Sequence, residues 1–552
     1  MRSPTVALAL VVLLVSTGPT AVAEPVLDTP AADTESAASG ASPIARSAAT
    51  PTIHAVYPDP IAAGDRGEFV VLSVPDSTAL GRFSLTDGHT TVQLPNRTAS
   101  GNVVLTDAPA RVRNLTGAPV YGLESAPSLA NGGDTVRLRL NGTVVSTVRY
   151  RDASEGELGL VNGSAIHWRP LGATARPVVS GRASEVRAFT LPDAPSAPLA
   201  PIRAAEDRVL LAGYTLSSAR VADALVAARQ RGTTVRVLLE GSPIGGRTRT
   251  EARTLDRLSD AGVDVRVIDG PYARNYHHAK YAVADERAVV LTENWKPAGV
   301  GGNSSRGWGV ATSQPRVVDG LAATFEADAG WRDAVRWREY RRGRAFERGE
   351  RADATYPRAF EAETVAVERT DLLVTPDNAQ RALVAELDAA DDSIAVIQPT
   401  VGDWDEPLLR ALRRAAGRGV EVRLLLSSAW YSRKSNRRTV DRFEAWAERT
   451  GAPLSARLAE PSGRFTKIHA KGAVIDDDRV VVGSLNWNER AATTNREVVL
   501  VLHGSEVATY FGRAFDADWS GGKPAVPLAL GGAVLGIVAV AGLAARRIRF
   551  AS

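Results

Sequence analysis

The chain has 552 residues, 44% of them hydrophobic and 23% charged, which excludes wholesale disorder and is too long for one ordinary core, so several domains are expected. Basic residues exceed acidic ones by only four, which gives no argument for a polyanion partner, and the absence of cysteine excludes disulfides, thiolate metal sites and thiol catalysis. Lysine is scarce: only positions 280, 296, 434, 467, 471 and 523 carry it, so arginine serves wherever a generic positive charge will do, and a retained lysine asks for a reason.

The first residues, "MRSPTVALALVVLLVSTGPTAVAEP", hold one Arg, an apolar run from Thr5 to Ser16 and a small-x-small site at Ala21-Val22-Ala23. That is the layout of a cleaved secretory signal, 1–23. Residues 24–50 have few apolar side chains and no periodicity, the pattern of a disordered linker. From 51 to 171, short β-type runs such as "GEFVVLSV" and "TVRLRL" alternate with turn clusters, which predicts an all-β sandwich. From 172 the pattern changes to alternating strands and helices and then repeats, giving one α/β lobe over 172–345, a linker over 346–371 and a second lobe over 372–520. The Arg-rich "WRDAVRWREYRRGRAFERGER" near the first lobe's end is read as a solvated connecting helix. Residues 524–545, "PAVPLALGGAVLGIVAVAGLAA", carry no charge and are long enough for a transmembrane helix. Arg546, Arg547 and Arg549 follow, placing a tail, 546–552, in the cytoplasm and the bulk of a single-pass cell-membrane protein outside. Sequons at Asn96, Asn114, Asn141, Asn162 and Asn303 are compatible with export.

Three landmarks define the repeat. Gly232 answers Gly419, "HHAK" from 277 answers "IHAK" from 468, and "FEADAGW" from Phe325 answers "FDADW" from Phe515. The second lobe spells H-x-K-x4-D-x6-G-S-x-N through His469, Lys471, Asp476, Gly483, Ser484 and Asn486; the first has His278, Lys280, Asp285, Thr292 and Asn294. On a strand, His and Lys two apart project from one face and form a pair suited to phosphate. If the lobes pack face to face, two such sets meet, with each Asn adding a neutral donor. The isolated His54, His89, His167 and His503 have no metal spacing, and no metal site is expected. His277 would face away from His278 and is read as structural. In "WYSRKSNRRTV" from 430, Arg433, Lys434, Arg437 and Arg438 follow a strand's carboxyl end, a position bordering a ligand crevice, and are candidate substrate-binding residues, with a solvated helix start the equal alternative.

The paired motifs resemble the HKD signature of the phospholipase D superfamily, and the order of the β region is similar to the lamin-tail domain, an immunoglobulin-like fold, at "IHAVYPDPIAAGDRGEFVVLSV" and "SLANGGDTVRLRLNGTVVSTVRY". The first resemblance implies a metal-independent, cofactor-free phosphodiesterase working through a phosphohistidine. His278 and His469 would be nucleophile and acid/base, Lys280, Lys471, Asn294 and Asn486 phosphate ligands, and Asp285 and Asp476 supports of the fold. Glu497 stands where such proteins carry an acid behind the catalytic His and is expected to support His469. The aligned stretch "SSRGWGVAT" offers His278 no local carboxylate. Family habit favours His278 as the nucleophile and local support favours His469. The substrate stays open between nucleic acid and phospholipid, and the alternative is a catalytically impaired surface module for phosphate binding or adhesion.

Overall fold

The computed structural model describes residues 50–521, except 63, 271–273, 350 and 351. The expected leader, nearly all of the spacer 24–50, the apolar segment 524–545 and the tail lie outside these residues. Among the described residues no helix is long and apolar enough to cross a membrane.

Between Thr52 and Pro170 the β-type runs pair into a six-stranded and a four-stranded sheet. Alternation decides what each face does: strand Gly133–Leu140 buries Val136 and Leu138 while Arg137 and Arg139 stay partly solvated. Val56, Leu72, Phe83, Leu105 and Val148 complete the layer between the sheets. This sandwich rests on the lobes: Glu155 pairs with Arg490 at 2.9 Å and the carbonyl of Gly172 accepts from Arg274 Nε.

Each lobe is a mixed sheet built in the same order. In the first, parallel strands Asp264–Ile268, Thr234–Glu240 and Arg208–Gly213 are followed across the sheet by antiparallel Tyr281–Ala284, Arg287–Leu291, Ser305–Thr312 and Ser184–Leu191. The second repeats this with Leu454–Leu458, Glu421–Leu426, Ser393–Gln398, Gly472–Ile475, Arg479–Gly483, Val498–His503 and Arg369–Val374. The crossover helices Ala219–Gln230 and Pro407–Gly417 end before Gly232 and Gly419, whose φ values of 104° and 102° lie where a side chain would strain the turn. The repeat landmark read in the sequence is therefore a backbone requirement.

The lobes are interlaced. Val179–Gly181, near the start of the segment expected to form the first lobe, pairs with Arg369–Val374 on the second sheet. Within 346–371, expected to be a linker, Glu363–Val367 pairs with Ser184–Leu191 at the edge of the first. The Arg-rich stretch does not form a connecting helix. It adds strand Ala334–Arg336 to Asp264–Ile268 and makes one turn, Trp337–Tyr340, because burying Trp337 under the Arg247 guanidinium outweighs its helical composition. Helices Pro315–Ala329 and Ser505–Trp519 lie between the sheets, and one continuous core runs through Trp308, Val310, Phe325, Val474, Val482, Phe511 and Phe515.

Candidate active site

Two equivalent hydrogen-bond exchanges build the centre. The segment leading into Tyr281–Ala284 leaves its own sheet and runs beside the second lobe: Arg496 N donates to Tyr276 O and His278 N to Arg496 O, both within 2.9 Å. Its counterpart, Lys467–Ile468, pairs in parallel with Ser305–Arg306 of the first lobe, and His469 N donates to Arg306 O at 2.9 Å. Each histidine is thus hung on the other lobe's last motif strand. The residue after that arginine is Glu497 in one case, which lies against His278, and Gly307 in the other.

Two buried ion clusters fix the arrangement with the same exchange. Arg306 of the first lobe pairs with Asp193 and with Asp518 of the second, and Arg496 of the second pairs with Asp377 and with Asp328 of the first. Both guanidiniums are fully buried, so losing any one carboxylate would strand a charge. His277 sits in the second cluster, 3.4 Å from Asp328, which agrees with its structural reading.

His278 Nδ1 lies 2.9 and 3.0 Å from the two oxygens of Glu497. The carboxylate expected to support His469 therefore supports the opposite histidine, for the pairing reason just given. His469 has a partner that the sequence reading missed: Glu293, 2% exposed, with Oε2 3.2 Å from Nδ1. The carbonyl of Thr292 lies 3.0 Å from the same nitrogen. Glu293 takes the space an acid at 307 would have filled, since a Cβ on Gly307 would collide with its Cγ and come within 3.0 Å of Cδ. The signal was present in the repeat as paired departures: Gly307 answers Glu497, and Glu293 answers Leu485.

The lysines are fully enclosed. Lys280 Nζ donates to the carbonyl of His278 and lies 5.4 Å from the Tyr214 ring, which also packs edge-on against His278 at 4.8 Å. Lys471 Nζ donates to His469 O at 2.7 Å and to Thr292 O at 3.3 Å. Burial pushes Lys280 well below the usual lysine range and Lys471 down to about 8, in each case against the pull of Glu497 and Glu293 and with a push from neighbouring lysines. Four of the six lysines, 280, 296, 467 and 471, are electrostatically coupled here, which answers the question their scarcity raised. Both imidazoles are driven down to about 4, chiefly by burial and further by Lys280 and Lys471, with Glu497 and Glu293 opposing. For Glu497, burial alone would raise the carboxyl, but His278 and Lys280 outweigh it and hold it below the usual range.

Asn294 and Asn486 follow the second strand of each hairpin and are half-buried, and Asn294 Oδ1 is enclosed without a hydrogen-bond partner. Thr292 and Ser484 have one equivalent job. Their hydroxyls accept from Trp308 N at 2.9 Å and Val498 N at 3.0 Å, stitching the hairpin to the strand that carries Gly307 or Glu497. Asp285 accepts from the backbone N–H groups of Glu206, Asp207 and Arg208, and Asp476 from those of Asp391, Asp392 and Ser393. Each ties its hairpin turn to the start of a central strand, away from the imidazoles. Arg433, Lys434, Arg437 and Arg438 are exposed on the first turns of helix Arg433–Thr450 and form no ion pair among the described residues. Arg438 lines a cleft of about 400 Å³ with Asp403, Trp404 and Arg442. That cleft adjoins Val401, which bridges to Trp487 beside Asn486.

Residues 199–329 and 383–519 match the family model described as cardiolipin synthase, PLD-like domain. These two segments belong to the phospholipase D superfamily. The phospholipase-D-like lobes are also similar to mitochondrial cardiolipin hydrolase from Xenopus tropicalis, 29% identical over 119 residues, 21% of this chain and 51% of that protein, so the chain spans about half the length of that curated relative. Among solved structures, phosphatidylserine synthase from Haemophilus influenzae Rd KW20 is 14% identical, with a TM-score of 0.45 over 61% of this chain and 86% of that one. The phospholipase D family member Nuc from Salmonella typhimurium is 18% identical, with a TM-score of 0.25 over 28% of this chain and 97% of that one. Among the described residues, the one grouping with metal-ligand spacing is Asp371, Glu386 and His503, in which Asp371 pairs with Arg369 and Glu386 with Arg479.

Proposed function

We propose that the protein hydrolyses phosphodiesters in two displacement steps, with His278 as nucleophile and His469 as general acid and then base. The observation that carries this reading is the crossed pair of imidazole–carboxylate contacts, each Nδ1 held by a buried Glu and each Nε2 without a hydrogen bond among the described residues. In the free protein both rings are neutral near pH 7, because burial and the two lysines depress them. A neutral His278, its Nδ1–H given to Glu497, has a lone pair at Nε2 for attack on phosphorus. A P–N bond forms as the P–O bond to the leaving group breaks, and His469 gives that oxygen its proton. His469 gains the proton when substrate arrives, since a phosphate anion offsets the lysine charges that depress the ring. Water then gives a proton to His469 and attacks phosphorus, breaking the P–N bond. Lys280, Lys471, Asn294 and Asn486 supply donors to the non-bridging oxygens. His278 is favoured as nucleophile because Glu497 meets its Nδ1 with both oxygens, whereas His469 Nδ1 is shared among Glu293, Thr292 O and Lys471 Nζ.

Substrates of two kinds fit this chemistry, nucleic acid and phospholipid. The apolar segment 524–545 and the Arg residues after it support a membrane-tethered, extracytoplasmic placement, and the sandwich is read as a lamin-tail-like module. The test is hydrolysis of labelled single- and double-stranded DNA and of phospholipid vesicles with EDTA present, by wild type, His278→Ala and His469→Ala. The expected result is wild-type turnover of at least one class and severe loss in both variants. Full activity in either variant, or abolition by EDTA, would refute the two-histidine scheme.

A further inference from the structure

Five large hydrophobic side chains are exposed among the described residues, and three of them lie on two loops: Ile244 at 79%, Trp430 at 87% and Tyr431 at 54%. The loops follow equivalent strands, Thr234–Glu240 and Glu421–Leu426, at the carboxyl ends that face the catalytic segments. Ile244 and Tyr431 stand 187 positions apart, the spacing that separates Gly232 from Gly419, so the two tips occupy one position of the repeat. A single solvated hydrophobic residue needs no explanation, but two at symmetric sites do.

Each tip is also wired to one half of the centre. Ile244 N donates to Tyr214 Oη at 2.6 Å, and the Tyr214 ring packs on His278. Tyr431 lies 5.3 Å from Lys467 Nζ, and Lys467 is close enough to depress Lys471. The tips therefore flank the entrance to the imidazoles. Just behind Trp430, Arg433, Lys434 and Arg437 are exposed and form no ion pair among the described residues, a positive rim beside an apolar point.

We propose that Ile244 and the Trp430–Tyr431 pair are the two feet of an interfacial docking surface that seats the cleft on an anionic phospholipid bilayer. Aromatic and aliphatic tips enter the headgroup–acyl boundary, and Arg433, Lys434 and Arg437 meet the lipid phosphates. The tips favour a bilayer over stacked bases. Ile244 has no π face, Lys467 lies over the Tyr431 ring, and Trp430 stands edge-on to Tyr431 at 83°, so these tips present no parallel aromatic platform. This inference rests on the phospholipid arm of the phosphodiesterase reading and names the surface that presents its substrate.

Trp430 provides the measurement, since it is the one exposed member of the ten tryptophans and the segment 524–545 contains none. Full-length protein is mixed with vesicles of brominated phosphatidylcholine and phosphatidylglycerol in equal parts, and tryptophan quenching is compared between wild type and Trp430→Phe. The expected result is a quenched component of roughly one tryptophan's share that is absent in Trp430→Phe, regained in the double variant Trp430→Phe/Ile244→Trp, and weakened by Arg433→Ser with Arg437→Ser. Tethering by the C-terminal segment cannot mimic it. Equal quenching of wild type and Trp430→Phe would overturn the proposal, as would failure of the double variant to regain the component. So would quenching of Trp430 by a single-stranded oligonucleotide but not by vesicles. Hydrolysis of soluble bis(p-nitrophenyl) phosphate by the same wild-type preparation separates these outcomes from failure of the phosphodiesterase reading itself.

Discussion

The two lobes solve one electrostatic problem in different ways. In the second, the acid comes from the strand after the motif, Glu497, and reaches across to His278; in the first, that strand carries Gly307, and the acid comes from the hairpin end, Glu293, to reach His469. Both solutions bury a carboxylate against Nδ1, so the requirement is a negative charge at one point in space and not a residue at one point in the repeat. The first lobe therefore also supplies a buried carboxylate to the centre, though its motif departs from the second lobe's.

The strongest way to break the comparison is to remove each histidine and vary the leaving group. His278→Ala should lower kcat by about 10⁴-fold on any diester, the scale of losing a nucleophile held in a catalytic unit. His469→Ala should cost about 10²- to 10⁴-fold on an alkyl ester and much less with p-nitrophenolate, which needs no proton to leave. Stopped-flow rates with both substrates check this, and the reverse ranking would exchange the two roles.

Next come the acids. Glu497→Gln should lower kcat by about 10³-fold, because an amide can hold the ring in the wrong tautomer, the mechanism behind comparable losses in serine-protease triads. Glu293→Gln should cost less, about tenfold, because the Thr292 carbonyl still accepts from Nδ1. A sharper test makes the first lobe copy the second. Glu293→Leu should be impaired at least as much as Glu293→Gln, and adding Gly307→Glu should restore at least part of the activity, by returning the charge from the other position. Single Gly307→Glu should be the worse variant, since its side chain meets Glu293.

The pH profile follows. Free His469 must still gain its proton, so kcat/KM should fall as the pH rises above about 4, and more steeply above about 8, where Lys471 loses its proton and a phosphate ligand becomes neutral; protonation of the nucleophile should make it fall below about pH 4. Glu497→Gln removes the charge that favours the imidazolium, so the acid limb should move to lower pH. The smallest effect concerns the turn aspartates: Asp285→Asn and Asp476→Asn should each cost about 1–2 kcal/mol in urea unfolding, through weakened backbone hydrogen bonds.

What the sequence made legible was whatever is local. The repeat, the H-x-K spacing, the Gly after each crossover helix and the turn aspartates are set by φ, by strand alternation or by hydrogen bonds within one hairpin. The sandwich's two-sheet layout followed from its period-two runs. What escaped depended on pairing between distant strands. Glu497 was assigned to the nearer histidine because the parallel pairing of 276–278 with Arg496 cannot be seen in a linear string. Glu293 was hidden because its position in the other copy is an ordinary Leu. Glu363–Val367 read as linker because an edge strand donated after a lobe has closed carries no periodic signal of its own.

The interlacing has a consequence for the order in which the molecule is made. His278 meets its carboxylate 219 positions later in the chain. The first sheet also waits for Glu363–Val367, and Val179–Gly181 waits for Arg369–Val374. A nascent chain released anywhere before the last strand holds a histidine with no base behind it and an unpaired sheet edge. On the proposed mechanism, hydrolytic competence therefore arrives only when the last strand has been made, almost all at once, and no shorter chain holds the assembled pair of imidazole–carboxylate contacts.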